Sequence, residues 1–430
     1  MITRTITFAG LFALSFAASA QPIAITGGKV YTMTSDEPLE NATVLIEDGR
    51  IRAVGTDVDV PGDVSVFDAA GKVVTPGLVD ANSHIGLVEI SAVGDTVDYR
   101  MEPDHPNADR FSAAFFAPDG FNPASTLVPI NRIEGITRAM VAPAAGKTVI
   151  AGQGAMTSLS GDADSVMGGT GALYVVLGEA GAELAGGARA ATMLDLRQAF
   201  DEAADYAGHR DDYMEGKRHP YVLNRLDLEA LQPYVKGKRP VVMSVNRASD
   251  IRNAMKLAKE YHLKLIIQGG AEAWRVADEL AAANVPVILD PLLNLPVSFE
   301  ALGATLENAA RLQEAGVTVA LSTGESHNAR KLKQAAGIAV ANGLPWYEGL
   351  KAVTVNPARL FGIDDRVGTL EKGKTADVVV WSGDPLEVTT TVDQVFIAGE
   401  AVPMTSRQTR LRDRYLHTEA LPQAYDKPEG

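Results

Sequence analysis

The chain contains no cysteine among its 430 residues, so neither a disulfide bond nor a lipid linkage at a thiol can form. Basic residues are outnumbered, with 39 Lys and Arg against 54 Asp and Glu and a formal net charge of −15. This balance argues against nucleic acids and anionic membranes as partners. No apolar segment is long enough to span a bilayer. The remaining composition, with 46% hydrophobic residues, fits a globular protein with one large domain and a smaller one.

The first twenty residues have the composition of a secretory signal peptide. Arg4 supplies a positive start, an apolar stretch covers residues 8–18, and Ala18-Ser19-Ala20 matches the small-x-small cleavage pattern. A membrane anchor is the alternative, but an apolar stretch of eleven residues is too short to cross a bilayer. We therefore predict export, most simply to the periplasm, with cleavage after Ala20.

Both ends of the remaining chain have a β character. Two alternating runs, 42–47 and 50–55, flank Asp48-Gly49, a pair typical of a tight hairpin because both turn positions require a positive φ. Short strands with turn signals continue to residue 75, and similar runs return at 368–381 and 395–402.

The middle of the chain alternates apolar strands with helical stretches, which indicates parallel strands joined by crossover helices. We expect an eighth strand within the irregular regions 87–121 or 146–171. The seven evident strands are Leu78–Ser83, Thr137–Ala142, Ala172–Leu177, Pro240–Val245, Lys264–Gln268, Pro286–Asp290 and Thr318–Thr323. The pattern predicts an α/β fold with a (β/α)₈ TIM-like barrel, whose functional site lies at the carboxyl ends of its strands.

Two motifs identify a family resemblance. Residues 73–86 read V-V-T-P-G-L-V-D-A-N-S-H-I-G, and strand alternation places Asp80, Asn82 and His84 on one face. Residues 365–385 read D-R-V-G-T-L-E-K-G-K-T-A-D-V-V-V-W-S-G-D-P. Both resemble the amidohydrolase superfamily, in the imidazolonepropionase-like branch of metal-dependent hydrolases. The resemblance covers nearly all of the chain after residue 20.

The resemblance implies a definite domain organisation. The two chain ends would build one small β-sandwich beside the barrel. The expected boundaries are 1–20 for the signal peptide, 21–75 and 361–405 for the sandwich, 76–360 for the barrel and 406–430 for a tail.

The resemblance also implies a metal centre of four histidines and a proton-shuttling aspartate, but this chain departs from it. Asn82 stands for the first histidine of the H-x-H pair, and Ser244 stands for another. The next histidine position falls near Gln268 or Gly269, and the aspartate position is Gly324. Amides and hydroxyls bind zinc poorly, so we predict that the usual two-metal centre is absent.

Two sets of side chains at predicted strand ends remain as candidates for a site. His84, Glu179 and Asp290, with His327, could hold a single divalent metal such as zinc through nitrogen and oxygen ligands. The alternative is that Asp290 caps a turn and His327 is a surface residue. Amides and Arg247 could instead hold a carboxylate or amide ligand without a metal. The substrate-binding candidates are Asn82, Asn246, Arg247, Gln268, Glu325 and His327.

Two functional hypotheses follow. The first is an exported amidohydrolase-type hydrolase acting on a C–N bond, other than an ordinary peptide bond, of a small cyclic amide, an N-acyl amino acid or a dipeptide-like substrate. The second is a catalytically inactive relative that binds a small ligand or a partner subunit, either a second copy or an active homologue. The family resemblance favours the first, and the lost metal ligands favour the second.

Overall fold

A computed structural model describes residues 21–106, 108 and 112–416. The predicted signal peptide, residues 1–20, and the end of the predicted tail lie outside these residues. In chain order, the strands are β1 (Ile23–Val30), β2 (Leu39–Glu47), β3 (Arg50–Gly55), β4 (Ser65–Asp68), β5 (Val73–Pro76), β6 (Leu78–Ser83), β7 (Ile136–Val141), β8 (Ile150–Ser158), β9 (Ala172–Val176), β10 (Pro240–Val245), β11 (Lys264–Gly269), β12 (Val287–Leu289), β13 (Val319–Leu321), β14 (Val378–Trp381), β15 (Val392–Ile397) and β16 (Glu400–Ala401).

The α-helices lie mainly between the strands of the barrel. They are α1 (Leu127–Arg132), α2 (Gly178–Leu184), α3 (Arg189–Met214), α4 (Arg225–Val235), α5 (Ala248–Glu260), α6 (Ala277–Ala282), α7 (Asn308–Glu314), α8 (Leu332–Ala341), α9 (Trp346–Lys351), α10 (Val355–Leu360) and α11 (Arg407–Leu416). Within the described residues, no helix has the length and apolar character needed to cross a membrane.

Strands β6 to β13 form one eight-stranded sheet that follows chain order from β13 back to β6, which confirms the predicted barrel. The sheet curls so that β13 returns to β6, where the Ser322 hydroxyl donates to the carbonyl oxygen of Asn82. Ser83 Oγ donates to the carbonyl oxygen of Glu325 at 3.1 Å. These side-chain bonds join the two edges of the barrel.

The eighth strand is β8, within the glycine-rich region where the irregular pattern placed it. It pairs antiparallel with both β7 and β9, so the expectation of parallel strands throughout is wrong at this strand. A parallel strand needs a crossover helix, and the short connections on either side of β8 permit hairpin pairing instead. The first residue of β8 consequently lies beside the carboxyl end of β9, where Ile150 pairs with Val175.

Alternation along the strands separates two layers of core. Tyr174, Val242 and Ile266 pack inside the barrel. Their neighbours Leu173 and Val241 pack outward, in the layer that helix side chains such as those of α5 and α6 complete. Because successive strand residues point to opposite faces, this pattern fixes which later residues point toward the barrel axis.

Both chain ends share the second sheet, whose strands run in the order β16-β15-β14-β5-β1-β2-β3, with β4 paired to β1. The sheet folds over its own core, and Phe67 meets Phe396 edge to face at 5.9 Å. The β2–β3 turn has φ values of 51° at Asp48 and 73° at Gly49, as the hairpin motif predicted.

A buried ion pair fastens this sheet to the barrel. Arg138 of β7 donates from Nε and Nη2 to the two carboxylate oxygens of Asp377, at 2.6 and 3.1 Å. Both side chains are almost fully buried, so the paired geometry offsets the free energy of removing two charges from water.

Candidate active site at the barrel mouth

Seven barrel strands, all except β8, run in one direction and end at the same face. We call this face, with the loops that follow these strands, the barrel mouth. Loops at this end of a (β/α)₈ barrel carry the catalytic and binding groups in enzymes of this architecture.

His84 follows β6 and is held in one orientation. Its Nδ1 donates to the carbonyl oxygen of Ala142 at 2.9 Å, and its ring stacks on Tyr99 with centroids 4.0 Å apart. Burial lowers the pKa of His84, and the nearby Arg100 lowers it further. The imidazole is therefore neutral near pH 7, and its Nε2 carries the lone pair.

Asp80 lies deeper along the same strand and is fully buried. One carboxylate oxygen accepts a hydrogen bond from the backbone N–H of Asn82 at 3.1 Å, whereas the other has no partner among the described residues. Burial raises the pKa of Asp80 to about 7, although the Ser322 hydroxyl lowers it. The Tyr174 hydroxyl, close enough to interact electrostatically with Asp80, is also buried without a described partner.

Three polar side chains stand at or next to positions where the family resemblance expects metal-binding imidazoles: Asn82, Ser244 and Gln268, the last beside the alternative position Gly269. Ser244 and Gln268 are register neighbours on β10 and β11, each two residues beyond an inward-facing core residue, so both point toward the barrel axis. None of the three side chains hydrogen-bonds to a described residue. We call this set the unpaired polar trio.

Asp290 follows β12, and its Oδ1 accepts the N–H of Leu292 at 2.9 Å, which matches the predicted turn cap. Burial raises the pKa of Asp290, and the neighbouring Glu325 carboxylate raises it further. Glu325 itself is exposed in the loop after β13. His327, also exposed, contacts Arg330 and Gln408 of α11 rather than the other candidates.

Across the mouth, charged side chains form a closed set of contacts that we call the Arg189–Glu300 network. Arg189 Nε donates to Asp250 at 2.9 Å, and Arg189 Nη2 lies 3.4 Å from Glu300 and 3.5 Å from Glu179. Glu300 also accepts the backbone N–H of Glu179 at 2.7 Å. A Cβ at Gly178 would lie 2.3 Å from Glu300 Oε2, so only glycine permits this approach.

Two predicted ligand-binding residues belong to this network. Asn246 Nδ2 donates to Glu300 Oε1 at 3.2 Å, and Arg247 Nη2 donates to Asp250 at 2.8 Å. Sequence reasoning did not select Arg189, Asp250 or Glu300. Asp250 lies within α5 and Glu300 in a short 3-10 turn of the loop after β12, so neither follows a strand directly.

The donor set does not fit the metal centre that the fold family implies. Over residues 21–106, 108 and 112–416, no group of three His, Asp or Glu side chains is placed to hold a metal ion. The single-metal candidates are not brought together, because Glu179 is paired with Arg189 and His327 contacts α11. At the expected ligand positions the chain presents two amides and a hydroxyl, which are poor ligands for zinc.

The segment 291–302, which we call the apolar loop, extends from the mouth after β12. Glu300 within it is buried, but most of its large apolar side chains are exposed, Phe299 by 85%. The exposed members are Leu292, Leu295, Val297, Phe299 and Leu302. Such a concentration on a folded protein is typical of an interaction site.

Comparison with known proteins gives consistent results over most of the chain. A sequence model described as "Amidohydrolase family" matches residues 190–402. Amidohydrolase tasK of Hapsidospora irregularis is 24% identical over 395 residues, which cover 83% of this chain and 39% of that protein. The chain thus spans about two fifths of the length of this curated relative.

Two further proteins match over most of both lengths. An imidazolonepropionase of Maricaulis maris is 24% identical, over 85% of this chain and 94% of that protein. The crystal structure of an amidohydrolase from Thermotoga maritima superposes with a TM-score of 0.79 at 29% identity, covering 90% of this chain and all of that one.

Proposed function

Because the chain belongs to the amidohydrolase superfamily, we propose that the barrel mouth binds a small polar molecule and hydrolyses a C–N bond in it. The substrate class is a cyclic amide, an N-acyl amino acid or a dipeptide-like compound. The unpaired polar trio carries the proposal, because polar side chains at the strand ends that have no partner among the described residues are available to hydrogen-bond a ligand. The nearly full-length match to an imidazolonepropionase supports a cyclic substrate.

Residues at the barrel mouth can be assigned separate roles in this reaction. The amides of Asn82 and Gln268 donate to the substrate carbonyl oxygen, which becomes more negative as water adds to the carbonyl carbon. Asp290 removes a proton from that water and returns it to the departing nitrogen, so that the C–N bond breaks and leaves a carboxylic acid group and an amine group, both on one molecule when the substrate is a cyclic amide. Burial raises the pKa of Asp290 above its ordinary value, which makes the carboxylate a stronger base for accepting that proton.

The test measures amine release from a panel of cyclic amides, N-acyl amino acids and dipeptides, with a metal chelator present. Asp290→Asn should lower kcat by at least about a hundredfold, and Gln268→Leu should raise KM. Glu307→Gln, an exposed change on the outer surface, is the matched control and should leave both constants unchanged. If Asp290→Asn retains full activity, the proposed proton transfer is wrong.

A second candidate function is ligand binding without turnover, favoured by the replacement of four diagnostic metal and acid–base positions. A compound that raises the Tm of the native protein but yields no product over days would support this function and contradict hydrolysis. Gln268→Leu should abolish that shift in Tm if the same mouth is used.

The apolar loop also suggests self-association, and we assign its partner as a second copy of this chain. The only charged side chain within residues 291–302 is Glu300, which is already buried against the network, so two loops can meet without burying an unpaired charge despite the net charge of −15. Light scattering should show a dimer that Phe299→Ser disrupts. Leu194→Ser, an equally apolar exposed site on α3, should leave the dimer intact, and a monomeric native protein would contradict the assignment.

Export with cleavage after Ala20 completes the proposal. Mass spectrometry of protein recovered from the periplasm should find Gln21 as the first residue, and recovery of intact Met1 would contradict it.

A further inference from the structure

The opposite end of the barrel holds a cavity of about 1080 Å³, where β10 to β13 begin. The amino-terminal ends of these strands, the outer face of α5 and the turn after α10 surround it. It therefore lies a full strand length from the mouth, and none of the candidate catalytic residues lines it.

The charge of this cavity contrasts with that of the whole protein. Its lining contains a single acidic side chain, Glu279, although acidic residues exceed basic ones by a wide margin in the chain. The basic side chains that line it are Lys238, Arg239, Arg252, Lys256, Lys259, Lys264 and Arg359. Glu279 is already engaged by Arg252, which approaches it to 2.6 Å.

The lysines at the rim lack counter-charges. Lys238, Lys259 and Lys264 form no ion pair with an acidic side chain in the described part of the chain. Lys259 in the last turn of α5 interacts favourably with the helix dipole, which explains one lysine but not those at the starts of two strands. Several like charges around one cavity repel each other, and a bound anion would remove that repulsion.

The floor of the cavity is apolar. Leu265, Ile266 and Phe361 line it, and the last two belong to the core inside the barrel. A ligand that fits both parts carries acidic groups at the rim and an apolar body over the floor, in keeping with ordinary small-molecule sites.

We infer that this cavity is a second binding site, for a small organic anion with at least two negative charges borne by phosphate or carboxylate groups. The site is independent of the proposed hydrolysis, because it shares no residue with the mouth. Binding depends on several exposed basic side chains, so its affinity falls steeply as ionic strength rises.

Isothermal titration of the full protein with inorganic phosphate, tripolyphosphate, citrate and 1-naphthyl phosphate tests the site and separates phosphate from carboxylate recognition. We expect one site per chain, with 1-naphthyl phosphate binding more tightly than inorganic phosphate because of the apolar floor. Absence of binding by all the probes at millimolar concentration would overturn the inference.

Two variants that lose the same charge distinguish binding at this cavity from non-specific attraction of anions to the protein's basic residues. The triple change Lys238→Gln, Lys259→Gln and Lys264→Gln should weaken binding at least tenfold. Arg407→Gln, Arg410→Gln and Arg414→Gln remove the same charge from exposed α11 and should change the affinity less than twofold. An equal loss in both variants would show attraction to net charge alone and would refute the site, provided that both retain the native circular dichroism spectrum.

Discussion

The two sides of the barrel mouth carry similar polar residues, but those on one side have hydrogen-bond partners within the described protein and those on the other side have none. On one side, Asn82, Ser244 and Gln268 have no side-chain partner among the described residues. On the other, Asn246 and Arg247 belong to the Arg189–Glu300 network. The presence of an amide side chain at a strand end therefore does not show whether it is free to bind a ligand or is hydrogen-bonded within the protein. The deciding factor is whether a distant loop brings a complementary charge.

The largest expected effect comes from Asp80, below the unpaired side. Its carboxyl has a pKa of about 7 when folded against an ordinary value of 3.8, so the wild-type protein loses stability as pH rises from about 4 to about 7. Asp80→Asn keeps an oxygen acceptor for the Asn82 N–H and carries no charge. It should raise the free energy of unfolding by about 2–4 kcal/mol near pH 8, with little gain near pH 4.

Urea unfolding across this pH range measures the effect. Asp59→Asn, an exposed change, is the control and should shift stability by less than about 0.5 kcal/mol at every pH. Parallel pH profiles for wild type and Asp80→Asn would contradict the assignment of the buried charge.

Glu300→Ala should be the most damaging change on the paired side. It removes the acceptor of the Glu179 N–H and of Asn246, and it leaves Arg189 with one fewer carboxylate. We expect a loss of about 2–4 kcal/mol in the free energy of unfolding, because buried polar groups lose their partners. Glu307→Ala, which breaks an exposed pair with Arg311, should cost less than about 1 kcal/mol. Equal losses would mean that the network contributes nothing particular.

Arg247→Ala should have a smaller effect of about 1 kcal/mol, because Arg189 still neutralises Asp250 and the Arg247 side chain is partly exposed. Thermal melting measures this change. If the variant instead keeps the native Tm but loses ligand binding, Arg247 contacts the ligand and the boundary between the two sides must be moved.

The smallest effect on stability is expected for Gln268→Ala and Ser244→Ala on the unpaired side. Neither change breaks a hydrogen bond within the described protein, so each should alter the free energy of unfolding by less than about 0.5 kcal/mol. Both should nevertheless abolish the shift in Tm that a bound ligand produces. A loss of several degrees in the native Tm would show that these side chains serve the fold.

The sequence predicted the scaffold well because its signals are local and periodic. The Asp48-Gly49 hairpin, seven barrel strands and the crossover helices of the second half all follow from alternation and turn chemistry. The antiparallel direction of β8 could not be predicted this way, because an apolar strand has the same side-chain period in either direction.

Only part of the candidate site at the barrel mouth, and nothing of the basic cavity, could be predicted from the sequence. Given the family resemblance, Asn82, Ser244, Gln268 and Gly324 indicate that the usual metal-binding and acid–base residues are replaced. The basic cavity did not stand out, because its lysines and arginines are spread from residue 238 to residue 359 among acidic neighbours. Only the convergence of four strand starts and two helices brings them around one space.

The amino-acid sequence by itself determined the β character of both chain ends and the strand–helix alternation of the barrel, because these depend on residue type and on spacing along the chain. The family resemblance added that the two ends share one sheet and that imidazole is missing at the family's metal positions. Tertiary structure alone decided which polar groups are paired. Glu300 accepts the backbone N–H of Glu179 across 121 residues, whereas the side-chain amide of Asn82 has no hydrogen-bond partner among the described residues. Hydrogen bonds and ion pairs act over a few ångströms, so their partners are set by the packing of distant segments rather than by sequence order.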